Sequence, residues 1–265
     1  GNEAAHTIAF TGTSTTGNAH EGANTVTGTT GHNVTNSGDG ADTITVTSGN
    51  NTINAGGGAN TIVATSGINV INTGDGADTI TTGGLTDGGN TIDAGDGANT
   101  ITTGAGAATI TGGRGADTIT TGSGDDTIHI TGGTDTIAAG AGNDTLIADF
   151  SLATGPVSIN TLAGTAAAGY AGNISGLGIA TFAGVENFEI TSGEFYDTIT
   201  TGDGTDVVHA GEGNDTVNLA GGNDEAIYTM AAYTGASDVY QGGAGVDTLT
   251  LELTKAEWFN PLVQN

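Results

Sequence analysis

The sequence predicts an all-β solenoid of short stacked strands, and three observations carry that prediction. The first is a nine-residue apolar beat: Ile44, Ile53, Ile62, Ile71 and Ile80 fall nine apart, and after a three-residue slip the beat resumes at Ile92, Ile101, Ile110, Ile119, Ile128, Ile137 and Leu146. It returns at Ile190, Ile199, Val208 and Val217. The second is a glycine-rich stretch with an Asp or Asn just ahead of many of these apolar positions. The third is composition: 50 glycines and only 2 prolines among 265 residues, with the glycines at fixed offsets from the beat. A disordered tract of that composition would not hold such a register.

Each element of the repeat has a physical reason. Glycine accepts positive φ without a Cβ clash, so the Gly-rich part forms a tight turn. Side chains alternate faces in a strand, so in Thr43-Ile44-Thr45 and Thr118-Ile119-Thr120 the Ile faces inward and both Thr residues face out. Two repeats then make one coil, with successive strands on opposite sheets and every second repeat stacked at the ~4.8 Å strand spacing. An unbroken stack of this length would have roughly 15 coils.

Along the chain, residues 1–36 read as degenerate N-terminal repeats, in which Ile8, Val26 and Ile44 still keep an eighteen-residue spacing. Residues 37–147 form a first regular block. Residues 148–189 break the pattern and are richer in Ala and aromatics (Phe150, Tyr170, Phe182, Phe188), so they predict enlarged, irregular coils. Residues 190–250 form a second block. Residues 251–265 read as a C-terminal cap, with Trp258 and Phe259 placed to cover the apolar end.

Charge restricts the function. The 29 acidic residues face only 2 basic ones, giving a formal net charge of −27. That balance argues against a nucleic-acid partner, which needs a basic stripe, and against an anionic membrane surface. No stretch is long and apolar enough to insert in a membrane as a helix. The acid must be balanced by cations, and a hard divalent ion suits Asp and carbonyl oxygens. There is no Cys for a disulfide or thiolate site. His20-Glu21 starts like a zinc-protease motif, but Asn24 stands where its second His belongs, and His6, His20, His32, His129 and His209 share no ligand spacing. No nucleophile elbow or phosphate-binding lysine motif appears, so the chain is read as non-enzymatic. It begins at Gly1 without a Met and is read as a fragment of something larger.

Two stretches match the pattern GGxGxDxU in full: Gly112-Gly113-Arg114-Gly115-Ala116-Asp117-Thr118-Ile119 and Gly242-Gly243-Ala244-Gly245-Val246-Asp247-Thr248-Leu249. On these residues the chain resembles the RTX (repeats-in-toxin) calcium-binding nonapeptide-repeat proteins. The resemblance implies a right-handed parallel β-roll, or β-helix, with several Ca2+ ions held between turns stacked on one edge. Each turn gives one carboxylate from the sixth position and some carbonyls. Same-edge partners lie eighteen residues apart, which pairs Asp117 with Asp135, Asp126 with Asp144, Asp197 with Asp215, and Asp206 with Asp224. Asp42, Asp78 and Asp247 complete the set of candidate ligands. Asp42 and Asp78 both neighbour Asn60 and should form depleted sites. Asn51, Asn60, Asn69, Asn90 and Asn99 take the sixth position elsewhere and are expected to ladder along the stack, with Ala108 there once. The third-position Asp39, Asp75, Asp96 and Asp203, and Asp125, are expected to face solvent.

The family implies a secreted or bacterial cell-surface protein, exported by type I secretion and folded by extracellular calcium. The expected role is a stiff structural module of a large adhesin or surface-layer-type protein, with any cell-surface or polysaccharide ligand held by neighbouring domains. Two alternatives stand: an accessory segment of a secreted hydrolase or polysaccharide-modifying enzyme, and ice binding through Thr-x-Thr ranks such as Thr100/Thr102 and Thr118/Thr120.

Overall fold

The computed structural model describes residues 5–12, 14–84, 89–159, 162–229 and 237–252. The expected cap at 251–265 therefore lies almost wholly outside the described residues, as do Trp258 and Phe259. Among the described residues every regular element is a β-strand. Strands alternate between two sheets, one of 15 strands and one of 12, as a period of two repeats per coil requires. The pairing is parallel through the regular blocks, with Ile44 opposite Ile62 and Ile110 opposite Ile128.

Strands of three to five residues each bury the apolar residue of the beat and expose its neighbours, as in Thr118–Thr120 and Thr100–Thr102. The buried Ile residues stack into one continuous core from Ile44 to Leu146, extended by Ile190, Ile199, Val208 and Val217. The three-residue slip keeps the stack intact: Ile92 pairs with Ile71 across a 21-residue interval. The degenerate N-terminus also keeps register, since Ile8 pairs with Val26.

The stack has fewer coils than the length suggests, because the smaller sheet contributes only 12 strands. The missing coils are spent in the irregular stretch. There Gly169–Ser175 runs antiparallel to both Ala163–Thr165 and Ile179–Val185. Ile179–Val185 continues the larger sheet from Thr136–Ala138, and Ser158–Ile159 hands it on to Thr198–Thr200. The smaller sheet passes straight from Thr145–Asp149 to Asn187–Thr191. Aromatics fill the wider core here, with the Phe182 and Phe188 rings in edge contact at 5.2 Å.

The two outer faces differ. On the larger sheet Thr7, Thr25, Thr43, Thr61, Thr79, Thr100, Thr118, Thr136 and Thr181 align strand by strand, all exposed. The smaller sheet carries Asp93, His129 and Glu189 in one outward rank, with Asp149 and His209 in the next.

Candidate metal sites in the stacked turns

The turns form two columns, one along each edge of the roll. Turns leading into the larger sheet place Asp42, Asp78, Asp117, Asp135, Asp197 and Asp215 on one edge, called edge A. Turns leading into the smaller sheet place Asp126, Asp144, Asp206, Asp224 and Asp247 on the other, edge B. The four pairs expected from spacing are stacked neighbours, since the backbone N–H of the first member donates to Oδ1 of the second: Asp117 to Asp135 at 3.0 Å, Asp126 to Asp144 at 2.8 Å, Asp197 to Asp215 at 2.9 Å and Asp206 to Asp224 at 2.9 Å.

Glycine is what lets turns approach this closely. Gly113 has φ +81°, and a Cβ there would lie 2.0 Å from the Gly95 carbonyl oxygen of the turn below. A Cβ on Gly112 would lie 2.7 Å from Asp117 Oδ2, so the first position is small where the carboxylate curls back over its own turn.

Every sixth-position Asp except Asp247 is almost fully buried. One carboxylate oxygen of each accepts an amide from the coil below. The other has no partner: Oδ2 of Asp42, Asp78, Asp117, Asp126, Asp144, Asp197, Asp206, Asp215 and Asp224 is buried and makes no hydrogen bond among the described residues. An unsatisfied buried polar group costs about 1–3 kcal/mol, and more when charged. Burial accordingly pushes nine of the sixth-position carboxyls up from their ordinary value. Asp117 rises to about 6, through desolvation and then the charge of Asp135. Asp135 also rises to about 6 by desolvation. Asp144, Asp206 and Asp215 rise to about 7, again by desolvation first and then by neighbouring carboxylates. Asp78, Asp126, Asp197 and Asp224 are raised for the same first reason.

Rows of buried, unpartnered oxygens held apart by like charge fit a cation. Among the described residues no three His, Asp or Glu side chains converge, so such a cation would draw most of its oxygens from backbone carbonyls. The residues present therefore fit a hard, oxygen-ligated ion and do not fit zinc.

Two carboxylates escaped the sequence reading. Glu186, in the irregular stretch, is buried, and its Oε2 accepts the Asp144 N–H at 2.8 Å, the bond a sixth-position Asp would make. Glu186 alone separates Ile179–Val185 from Asn187–Thr191, so this turn is shortened and the longer side chain makes up the reach. Asp238 does the same on edge A, accepting the Asp215 N–H at 2.8 Å across 23 residues. The signal for both was there, an acid directly before a strand, but each lies off the nine-residue beat.

The Asn positions divide by edge. On edge B Asn33, Asn51, Asn69 and Asn90 ladder directly, amide nitrogen to amide oxygen. On edge A Asn60 and Asn99 alternate with Asp and donate instead to carbonyls of their own turns, so the expected continuous ladder exists on one edge only. The third-position Asp39 and Asp96 do more than face water. Each accepts an amide from the turn above, Gly57 N–H and Arg114 N–H at 3.0 Å, and Asp125 accepts that of Asn143 at 2.8 Å. Tyr170 closes another turn, its hydroxyl accepting the Asp203 N–H at 2.9 Å.

The family model of the RTX calcium-binding nonapeptide repeat, four copies long, matches residues 18–53, 36–69, 54–87, 85–107, 104–130, 129–150 and 192–226. No curated protein matches the chain with significance. The matched repeats are calcium-binding repeats, and Ca2+ is a hard, oxygen-ligated ion of the kind these turns fit. No helix among the described residues is long and apolar enough to cross a membrane.

Proposed function

The chain belongs to the RTX calcium-binding nonapeptide-repeat family, and from that membership we propose that it is a structural module that folds and stiffens on binding extracellular Ca2+. One observation carries this reading: the file of buried carboxylate oxygens without partners. Asp117, Asp126, Asp144, Asp197, Asp206, Asp215 and Asp224 lie in the C-terminal part, and at about 1–3 kcal/mol each their unmet cost rivals the ~5–15 kcal/mol that holds a domain together. A cation removes that cost, so ion binding and folding become one equilibrium.

The eleven sixth-position carboxylates expected from the sequence hold the ions in this reading, joined by Glu186 and Asp238. Within the Asp126 turn the chain's own groups divide the work. Oδ1 fixes the coil below through the Ala108 N–H at 2.7 Å, while Oδ2 is left for the metal. Extracellular modules of this kind bind with dissociation constants of about 10⁻⁴–10⁻³ M, so the switch works across the step from cytosolic to external calcium. The module then serves a secreted or cell-surface protein of adhesin or surface-layer type, exported by type I secretion, and carries no catalysis of its own. The accessory segment of a secreted hydrolase remains the alternative assignment of its neighbours. Circular dichroism with calcium titrated against chelator tests the proposal: β-structure should grow with calcium, and a β-rich spectrum with full amplitude in chelator would refute it.

A second reading has its own observation. The exposed Thr ranks of the larger sheet contain no charged residue from Thr7 to Thr181, in a chain of net charge −27. Thr suits any exposed strand position, but a flat, neutral, regularly spaced array of hydroxyls and methyls also suits an ordered lattice such as ice. Thermal hysteresis measured in calcium, and its loss on Thr100→Tyr, would support this reading, and no hysteresis would end it.

A further inference from the structure

We infer that the cation dependence of this roll is concentrated in its C-terminal part, because through most of the N-terminal part asparagine amides take the place that a cation would fill. The inference rests on the calcium reading above and adds to it which turns do without the ion.

The geometry is clearest on edge A. Asn24 Nδ2 donates to the carbonyls of His20 at 2.9 Å, Gly22 at 2.7 Å and Ser37 at 3.0 Å. These are the second and fourth residues of its own turn and the first residue of the turn above. Asn99 Nδ2 reaches the same three positions, Gly95, Gly97 and Gly112, at 3.2–3.4 Å. Asn60 reaches two of them, Gly56 at 3.2 Å and Gly58 at 3.0 Å. The positively polarised NH2 group thus sits among converging carbonyl oxygens, which is the electrostatic work of a cation.

Asp and Asn are nearly isosteric, and one atom decides the outcome. In both, Oδ1 accepts the amide of the coil below: Asn33 N–H to Asn51 at 3.1 Å, Ala108 N–H to Asp126 at 2.7 Å. The second atom differs. As Nδ2 it is a donor, and Asn51 gives it to Gly49 at 2.7 Å and to Asn69 Oδ1 at 2.9 Å. As Oδ2 it is a buried acceptor with no donor, the state of Asp126 and Asp144. The Asn51 turn is complete without metal, Asn33 Oδ1 at the foot of that run lacks a donor, and the Asp126 and Asp144 turns each keep an unpartnered oxygen.

These two kinds of turn are segregated. Edge B holds Asn33, Asn51, Asn69 and Asn90 without a carboxylate in the sixth position, and Ala108 ends that run. On edge A Asp42 and Asp78 alternate with the Asn turns, each stacked singly between Asn neighbours and each with its own unpartnered Oδ2. Beyond Ala108 the seats on both edges are acidic except where the irregular stretch crosses edge A. The N-terminal part is therefore a preformed end on which the acidic coils add as calcium arrives, the order of growth a nearest-neighbour stack favours.

Hydrogen–deuterium exchange on the full chain tests this, in excess chelator and in millimolar calcium. Peptides within 43–72, which span only Asn turns, should exchange equally slowly in both. Peptides within 118–149 and 198–219 should lose protection by about 100-fold in chelator. Loss of protection in both parts together would overturn the inference and leave the calcium reading standing. Full protection of both parts in chelator would overturn the calcium reading itself. The double variant Asn51→Asp/Asn69→Asp should make the 43–72 peptides sensitive to chelator, with protection restored by calcium, and unchanged protection in chelator would count against the amide's role.

Discussion

The turn around Asn51 and the turn around Asp126 stand on the same edge, share the same backbone course and lie under the same kind of strand, yet one is complete and the other is not. Asn51 satisfies every polar atom of its amide from within the protein. Asp126 leaves Oδ2 buried without a hydrogen bond, the nearby Thr121 hydroxyl donating to the Ala139 carbonyl instead. The comparison teaches that the fold and the metal requirement are separable in this architecture. Glycine turns and the Ile stack set the shape, and the sixth residue sets whether the shape is stable on its own.

The largest effect that would sharpen this comparison comes from removing carboxylates in a stacked pair. Asp126→Ala/Asp144→Ala should abolish calcium-induced structure in the C-terminal part, followed by limited proteolysis in calcium, while the N-terminal part resists cleavage as before. Next is acidity without calcium. Asp144, Asp206 and Asp215 have pKa values raised to about 7, and Asp117 and Asp135 to about 6, by burial. The folded form therefore binds more protons than the unfolded chain between the unperturbed value of 3.8 and these values, so its stability is fully present below the former and is lost as pH rises through the latter. Chelated protein should regain C-terminal β-structure as pH is lowered from 8 toward about 4.5, read by exchange protection, and the Asn turns should not respond. A smaller effect is expected from Glu186→Gln. It should weaken calcium binding at the Asp144 turn and lower stability by about 1–3 kcal/mol in calcium, with little change in chelator. The smallest is Asn69→Ala, about 1–2 kcal/mol by thermal denaturation and equal with and without calcium. A calcium-dependent loss there would contradict the division between the two kinds of turn.

Much of this was legible in the sequence, for a physical reason. A solenoid repeats its local environment, so Ile44 to Leu146 report one face and Asp117 to Asp144 one kind of turn, and the eighteen-residue rule assigns each to an edge. What escaped lies where the local environment stops repeating. Glu186 works from a shortened turn, and Asp238 works across 23 residues, so spacing could not find either. The coil count was overestimated because Gly169–Ser175 pairs antiparallel with its neighbours and uses chain without adding turns. The Asn residues looked like one ladder in sequence. Alternation of edges splits them, leaving Asn60 and Asn99 to meet carbonyls and Asp neighbours rather than other amides.

The most direct measurement is a crystal structure grown in calcium, with anomalous scattering used to locate the ions. The account predicts ions at the acidic turns, including those of Asp126, Asp144 and Asp206, and none at the Asn24, Asn51 or Asn69 turns. Ions spread evenly over both kinds of turn, or none at the Asp126 and Asp144 turns, would contradict it.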